Sequence, residues 1–250
     1  MDATHPPTAN AAAFEATHDN VFSRIAGRYD VLCDLFSLFI HRAWKRHMAQ
    51  RVLALRWRTM LDAAAGTGDI SLRVLHGLSA ADDRDITVSD ICQPMLTVAE
   101  RRAGRHAPSL NFRIMDAEAA PEIESNSVDL YTISFAMKIC DRARVLAEAY
   151  RVLRPGGTFI CMEASEIPFR PLHRAYLAYM NLCLPAIGYL ATGGDHSAYE
   201  YLLRGIHDFP NAAEFAGEIA AQGFDKVRYQ RLSLGIVAMH EARKPASSIR

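Results

Sequence analysis

The stretch that decides the fold is Asp62-Ala63-Ala64-Ala65-Gly66-Thr67-Gly68-Asp69, which stands between a short apolar run and the helical pattern ISLRVLHGL. The run 59–63 predicts a buried strand, and the small residues predict a tight turn into a helix N-terminus. Ala64, Gly66 and Gly68 let the main chain approach a ligand, and the positive helix end favours a carboxylate or phosphate. The same glycines would also close a strand-to-helix turn without a ligand. Residues elsewhere in the chain are needed to distinguish a ligand site from a structural turn.

Apolar runs of strand length alternate with helical patterns after two amphipathic stretches at 21–38 and 44–55. This alternation predicts βαβ units and a parallel sheet. The last two strand candidates follow each other with almost no linker, so they can pair only antiparallel. We therefore expect an α/β fold with a seven-stranded, mostly parallel sheet and a C-terminal antiparallel hairpin. The strand candidates are 59–63, 85–88, 110–114, 128–134, 158–163, 226–231 and 233–239.

Composition narrows the class of protein. Half of the 250 residues are hydrophobic, which is enough for one well-packed domain. Lys and Arg number 28 and Asp and Glu number 28, so no net charge attracts nucleic acid. Five widely spaced cysteines favour free thiols in a reducing compartment, and the scattered histidines predict no metal site. We expect a cytoplasmic chain, or one on the matrix face in a mitochondrion.

Two segments of the chain differ in composition from the predicted core. Residues 1–18 carry no continuous apolar region, so they predict a disordered N-terminal tail rather than a secretory signal. Residues 175–194 carry no charge and approach the length of a membrane span. Asn181, Pro185, Gly188 and Gly193-Gly194 interrupt this segment, which favours a buried helix pair or an apolar lid. We expect one domain over 19–250, with a helical cap at 19–56 and a lid at 168–208.

Polar residues follow the predicted strands where a nucleoside would bind. Asp90 comes roughly twenty positions after the glycine turn, where a carboxylate can accept both ribose hydroxyls, although it would also serve as the N-cap of the next helix. Asp116-Ala117-Glu118 follows the third strand and can reach an adenine amino group. Ser134 ends the fourth strand and faces the same crevice. The segment 150–157 closes a helix with Pro-Gly-Gly before the strand TFICME.

Five segments together resemble the UbiE/COQ5 methyltransferases of ubiquinone and menaquinone synthesis, in order over about residues 20–244. They are Phe22-Ser23-Arg24-Ile25-Ala26-Gly27-Arg28-Tyr29-Asp30, Ile40-His41-Arg42-Ala43-Trp44-Lys45-Arg46, Gly66-Thr67-Gly68-Asp69, residues 151–157, and Tyr199-Glu200-Tyr201-Leu202 ahead of Phe209-Pro210.

The resemblance implies a Rossmann-like class I methyltransferase fold and the cofactor S-adenosylmethionine. It implies that the acceptor is a prenylated benzoquinol or naphthoquinol methylated on carbon, and that the N-terminal helices and the uncharged segment 175–194 cover its pocket. It implies cofactor contacts at Thr67, Asp90, Asp116, Ala117 and Ser134. We expect Tyr29, Asp62, Ala64, Gly66, Gly68 and Ile91 to complete the cofactor site.

The chain departs from this family after the fourth strand. Members follow Ser-Phe with Gly, an apolar residue and Arg-Asn, whereas this chain has Ser134-Phe135-Ala136-Met137-Lys138-Ile139-Cys140. Lys138 keeps a positive charge but lacks the planar fork of arginine, and Ile139 has no amide donor. Lys138 and Tyr201, which flanks the lid, are the catalytic candidates. His196, Tyr199 and His207 also flank the lid, but ordinary packing or surface positions are favoured for them.

Several functions therefore stay open beside quinol C-methylation. One is another S-adenosylmethionine-dependent modification of a quinone, such as the amination that forms rhodoquinone. Others are methylation of a different lipid or secondary metabolite, and a catalytically silent cofactor-binding subunit. A nicotinamide dehydrogenase is disfavoured because neither a fuller Gly-x-Gly-x-x-Gly turn nor a catalytic Tyr/Lys pair is present. Peripheral membrane contact and a homodimer are further expectations, and no nucleic acid partner is expected.

Overall fold

The apolar runs form seven strands of one sheet in a computed structural model, which describes residues 21–79, 82–192, 206 and 208–246. Strands β1 to β5 are parallel, in the order β3-β2-β1-β4-β5. Strand β7 pairs antiparallel with β5, and β6 pairs antiparallel with β7 at the edge of the sheet. This confirms the predicted sheet and its C-terminal hairpin. The strands are β1 Thr59–Ala63, β2 Asp85–Asp90, β3 Asn111–Ile114, β4 Val128–Ser134, β5 Leu153–Ala164, β6 Asp225–Leu232 and β7 Val237–Arg243.

Helices cover both faces of the sheet, as a parallel sheet requires. Asp141 and Asn211 begin two of them by accepting hydrogen bonds from backbone amides of the first turn, and Glu214 completes a capping box with Asn211. The helices are α1 Val21–Ile25, α2 Tyr29–Ser37, α3 Ile40–Leu53, α4 Asp69–Gly77, α5 Gln93–Ala103, α6 Arg142–Val152, α7 Arg170–Thr192 and α8 Ala212–Ala221, with a 3-10 turn at Ala26–Arg28.

Alternate residues of the central strands enter two apolar layers, one on each face of the sheet. Tyr131 and Phe159 pack with Phe215 on the face of α6 and α8. Met60 and Met162 pack with the cap helix α3 and with α4 and α5 on the opposite face. The burial of both faces explains why these strands read as near-continuous apolar runs.

Two predicted strand boundaries are wrong for identifiable reasons. Strand β5 begins at Leu153 rather than at 158, because the main chain of Gly156 and Gly157 pairs with that of Lys244. Strand β7 begins at Val237 rather than at 233, because the segment Ser233–Gly235 forms a 3-10 turn. The first difference depends on a contact between residues far apart in the chain.

The uncharged segment forms one helix in its described part. Helix α7 runs from Arg170 to Thr192 through Asn181, Pro185 and Gly188, so the predicted interruption at these three residues is wrong. Within the part of the chain that the structure describes, no helix, α7 included, is both long enough and apolar enough to span a membrane. Gly193-Gly194 and the predicted tail at 1–18 lie outside the described residues.

Candidate cofactor and acceptor site

The carboxyl ends of β3, β2, β1 and β4 meet at one edge of the sheet, and main-chain hydrogen bonds tie these ends together. The Ala65 amide donates to the Ser89 carbonyl at 2.8 Å, and the Met115 amide donates to the Asp90 carbonyl at 3.1 Å. The predicted cofactor residues from Ala64 to Ser134 therefore lie along this edge. In parallel α/β sheets this edge is where ligands bind.

Asp90 joins the glycine turn to the end of β2. Its Oδ2 accepts a hydrogen bond from the Gly66 amide at 2.7 Å, and its Oδ1 accepts one from the Cys92 amide at 2.8 Å. The side chain is buried, and burial raises the pKa of Asp90 to about 6. Helix α5 takes Cys92 as its N-cap, so the alternative role of Asp90 as that N-cap is wrong. Each carboxylate oxygen has a second lone pair that can accept a ligand hydroxyl.

The two glycines of the turn have different surroundings. Gly66 has a φ of +56°, and a Cβ built there meets no atom within 4 Å in the described part of the chain. Gly68 has a φ of +74°, and a Cβ there would stand 3.0 Å from the Cβ of Ala99. The main chain therefore faces open space at Gly66, whereas at Gly68 it approaches helix α5.

Backbone strain collects at the same edge. Ala64, directly after β1, has a φ of 47°, and Phe135, directly after β4, has a φ of 57°. Residues other than glycine rarely adopt this left-handed backbone conformation, and such residues cluster at ligand sites. Ala64 and Ser134 are half-buried here, as are Ile91 and Asp116, whereas Ala117 is buried.

Asp62 and Thr67 direct their side chains into the protein. The carboxylate of Asp62 accepts hydrogen bonds from Ser71 Oγ at 2.6 Å and from Thr132 Oγ1 at 2.7 Å, and burial raises its pKa to about 6. Thr67 is buried, and its hydroxyl donates to Asp30 Oδ1 at 2.9 Å. These side chains stabilise the turn, and the Thr67 hydroxyl is already hydrogen-bonded within the protein.

A buried ionic network fastens the N-terminal helices to the glycine turn. Asp69, the first residue of α4, pairs with Lys45 of α3 at 3.0 Å and with Arg102 of α5 at 3.2 Å. Arg102 also pairs with Asp30 of α2 at 3.0 Å. Burial acts to raise the pKa of Asp69, but Lys45, Arg73 and Arg102 lower it to about 2. Asp69 is therefore ionised and holds three helices around the turn.

An apolar cavity of about 440 Å³ lies between these N-terminal helices, helix α7 and the ends of β4 and β5. Phe135 is both the residue after Ser134 and part of the cavity wall, so the cavity adjoins the cofactor edge. Tyr29, predicted to contact the cofactor, also borders the cavity. Its neighbour Cys33 and burial raise the pKa of the Tyr29 hydroxyl well above its usual value. Other wall residues are Leu32, Phe36, Trp44, Ile139, Tyr176, Met180 and Val237.

Lys138 borders the cavity, but its charge is paired. Its Nζ lies 3.1 Å from Glu163 Oε1 and donates to the Phe135 carbonyl, and its side chain is 3% exposed. Glu163 is fully buried and also accepts a hydrogen bond from the Ala164 amide at 2.7 Å. Sequence reasoning missed Glu163, although a carboxylate inside the apolar strand TFICME was a signal that a cation lay opposite. The other catalytic candidate, Tyr201, lies outside the described residues, as do His196, Tyr199 and His207.

A family model described as the ubiE/COQ5 methyltransferase family matches residues 11–244. The chain belongs to the ubiE/COQ5 methyltransferase family. It is 42% identical to the ubiquinone/menaquinone biosynthesis C-methyltransferase UbiE of Acidiphilium cryptum, over 88% of this chain and 87% of the relative. It is 38% identical to the mitochondrial 2-methoxy-6-polyprenyl-1,4-benzoquinol methylase of Caenorhabditis elegans, over 90% of this chain and 79% of the relative.

Solved structures confirm the class I methyltransferase fold. A SAM-dependent methyltransferase from Thermotoga maritima matches with a TM-score of 0.62 at 15% identity, over 89% of this chain and 97% of that chain. A Haemonchus contortus N-methyltransferase crystallised with S-adenosylhomocysteine matches with a TM-score of 0.58 at 14% identity, over 80% of this chain and 52% of that chain. At these identities the likeness concerns the fold alone.

Asp90→Asn is expected to change how stability depends on pH. Burial raises the pKa of Asp90 to about 6 in the folded chain, so its contribution is most favourable below about pH 4 and is lost as the pH rises through about 6. Between pH 4 and pH 7 the native chain should lose about 2–3 kcal/mol relative to the variant. Urea unfolding across this range measures the difference. The pH-dependent contribution of Asp62, whose pKa is also raised, cancels because both proteins contain this residue.

The exposed carboxylate of Asp83 provides the matched control. Asp83→Asn should stay within about 0.5 kcal/mol of the native chain across the range, as surface substitutions usually do. A constant difference between native chain and Asp90→Asn would contradict the assigned pKa.

Lys138→Met is expected to cost about 3–5 kcal/mol of the free energy of unfolding, because it leaves the Glu163 carboxylate buried without its cation. Lys138→Met with Glu163→Gln should recover more than half of this loss, since the amide keeps an acceptor for the Ala164 amide and removes the charge. Urea unfolding measures both. If the double variant is as unstable as the single one, the loss has another origin than the unpaired charge.

Proposed function

We propose that this chain uses S-adenosylmethionine to methylate a ring carbon of a prenylated benzoquinol or naphthoquinol. The observation that carries the proposal is the apolar cavity beside the carboxyl edge of the sheet. Its volume of about 440 Å³ is that of a small-molecule site. The names of the relatives from Acidiphilium cryptum and Caenorhabditis elegans support a quinol acceptor.

The residues at the sheet edge fit the proposed cofactor. Open space over Gly66 leaves room for a ligand against the main chain, and Asp90 can accept the two ribose hydroxyls. Asp116 and Ala117 follow β3 and are the proposed contacts of the adenine, and Ser134, the last residue of β4, precedes the cavity residue Phe135. When bound, S-adenosylmethionine supplies an electrophilic methyl group on a sulfonium.

The wall of the cavity contributes alignment and exclusion of water. Aromatic and aliphatic side chains of α2, α3 and α7 surround the space, with Trp44 and Phe135 packed at a ring distance of 6.2 Å. A flat ring held there would be aligned with the end of β4. Alignment of this kind can supply about 7–11 kcal/mol of a reaction barrier.

The methyl-transfer proposal is tested with the purified chain, S-adenosylmethionine and a demethylated benzoquinol bearing one or two prenyl units. We expect a gain of one methyl group on a ring carbon and release of S-adenosylhomocysteine, both measured by mass spectrometry. Asp90→Asn should bind the cofactor at least tenfold more weakly. Cofactor binding without any change in the quinol would favour a silent subunit, and an aminated ring would favour rhodoquinone-type chemistry.

We also propose peripheral contact with a membrane at the mouth of the cavity. Leu38 and Phe39 join α2 to α3 and are 70% and 58% exposed, and Ile40, the first residue of α3, is 42% exposed. Leu38 and Ile40 also line the cavity, so a prenyl chain would enter beside them. The native chain should float with neutral liposomes, and Leu38→Ser with Phe39→Ser should reduce the floating fraction several-fold. Equal flotation of both proteins, or of neither, would count against this contact.

A further inference from the structure

A histidine of the cavity wall, His41, forms a buried pair with the carboxylate of Asp34. His41, in the first turn of α3, lies with its Nε2 2.8 Å from Asp34 Oδ1 of α2. The two side chains are 7% and 9% exposed. The second ring nitrogen of His41, Nδ1, is buried without a hydrogen-bond partner among the described residues. Buried polar atoms are nearly always paired, so a ligand or water is expected at Nδ1.

The neighbours of Asp34 determine which nitrogen of His41 carries the proton. Hydrogen bonds from Arg42, whose Nε lies 2.6 Å from Asp34 Oδ1, lower the pKa of Asp34 and keep it ionised. An ionised carboxylate accepts, so the His41 proton lies on Nε2 and the lone pair on Nδ1. Burial lowers the pKa of His41, which is therefore a neutral base near pH 7.

Five other titratable groups at or beside the cavity are poor candidates for a base. Lys138 is paired with Glu163, and Lys45, one turn after His41 on α3, is paired with Asp69. Tyr29 and Cys33 have raised pKa values, and burial raises the pKa of Tyr176 to about 12. These hydroxyl and thiol groups keep their protons at neutral pH. His41 is the neutral acceptor among these groups.

We propose that His41, positioned by Asp34, is the base that accepts the hydroxyl proton of the acceptor ring. The inference rests on the proposed quinol methylation. The ring O–H bond breaks and the Nδ1–H bond forms, which leaves a phenolate whose ring carbon gains the methyl group as the methyl–sulfur bond breaks. The ring carbon then loses its proton to water, and His41 returns its proton to the oxygen. One proton is released for each methyl group transferred.

His41→Gln tests the proposal, because the glutamine amide can still donate to Asp34 but cannot take a proton. We expect kcat to fall by about 10²–10⁴-fold, the usual contribution of a general base. The affinity for S-adenosylmethionine, measured by calorimetry, should stay unchanged. His47→Gln is the matched control, since His47 lies on the same helix and bonds Gln230 at the surface. Turnover of His41→Gln within threefold of the native chain would overturn the assignment and leave the methyl-transfer proposal standing.

Asp34→Asn tests the positioning role. The hydrogen bond that His41 donates to Asp34 raises the pKa of His41, so its loss should move the rise of kcat with pH to lower pH while the maximum falls at least tenfold. The charges that face this pair are those of Arg42, Lys45 and Asp69, and they are the same in both proteins. An unchanged pH profile would overturn the role of Asp34.

A measurement without cofactor separates proton transfer from methyl transfer. A prenylated nitrophenol serves as the probe, because its phenolate absorbs in the visible range. In the native chain the bound probe should ionise at least one pH unit lower than in His41→Gln. Equal ionisation in both proteins would overturn the role of His41, whereas a probe that fails to bind the native chain would overturn the phenolic acceptor and the base together.

Discussion

The buried ion pair between Lys45 and Asp69 is the constraint on which the site depends. Removal of one partner would leave a charge in a buried place, so the two residues fix the distance between the N-terminal helices and the glycine turn. Arg102 extends the network to Asp30 on α2. Because α2 and α3 form a wall of the apolar cavity, the same charges that stabilise the turn also determine where an acceptor can lie.

Two buried carboxylates near the carboxyl edge of the sheet reduce the stability of the folded chain, and the fold alone would not require them. Asp62 and Asp90 both have pKa values raised to about 6 by burial, which means that the folded chain disfavours their ionised forms. Hydrogen bonds from Ser71 and Thr132 inside the core offset part of this cost for Asp62. Asp90 is held by backbone amides at the edge of the sheet, where its oxygens keep lone pairs. A costly carboxylate at a ligand edge is better explained by binding than by stability.

The sheet and its ligand edge could be predicted from the sequence, because strand length, apolar runs and the small-residue turn are local signals. The partners of the site residues could not. Glu163 and Lys138 are 25 residues apart, so their pairing follows only from the neighbouring positions of β4 and β5 in the sheet. His41 and Asp34 are close in sequence, but their contact requires the left-handed backbone of Leu38 and Phe39, which are unusual residues for that conformation.

The lysine after β4 changes which group would handle charge in the proposed reaction, but the reaction still requires such a group. Transfer of a methyl group from a sulfonium to a phenolate disperses positive charge, so the step itself needs no additional free cation near the ring. A lysine paired with Glu163 at this end of β4 is therefore compatible with the proposed transfer. The proposed reaction still needs an acceptor for the hydroxyl proton, and the buried imidazole of His41 beside the ionised carboxylate of Asp34 would provide one from the α3 side of the cavity.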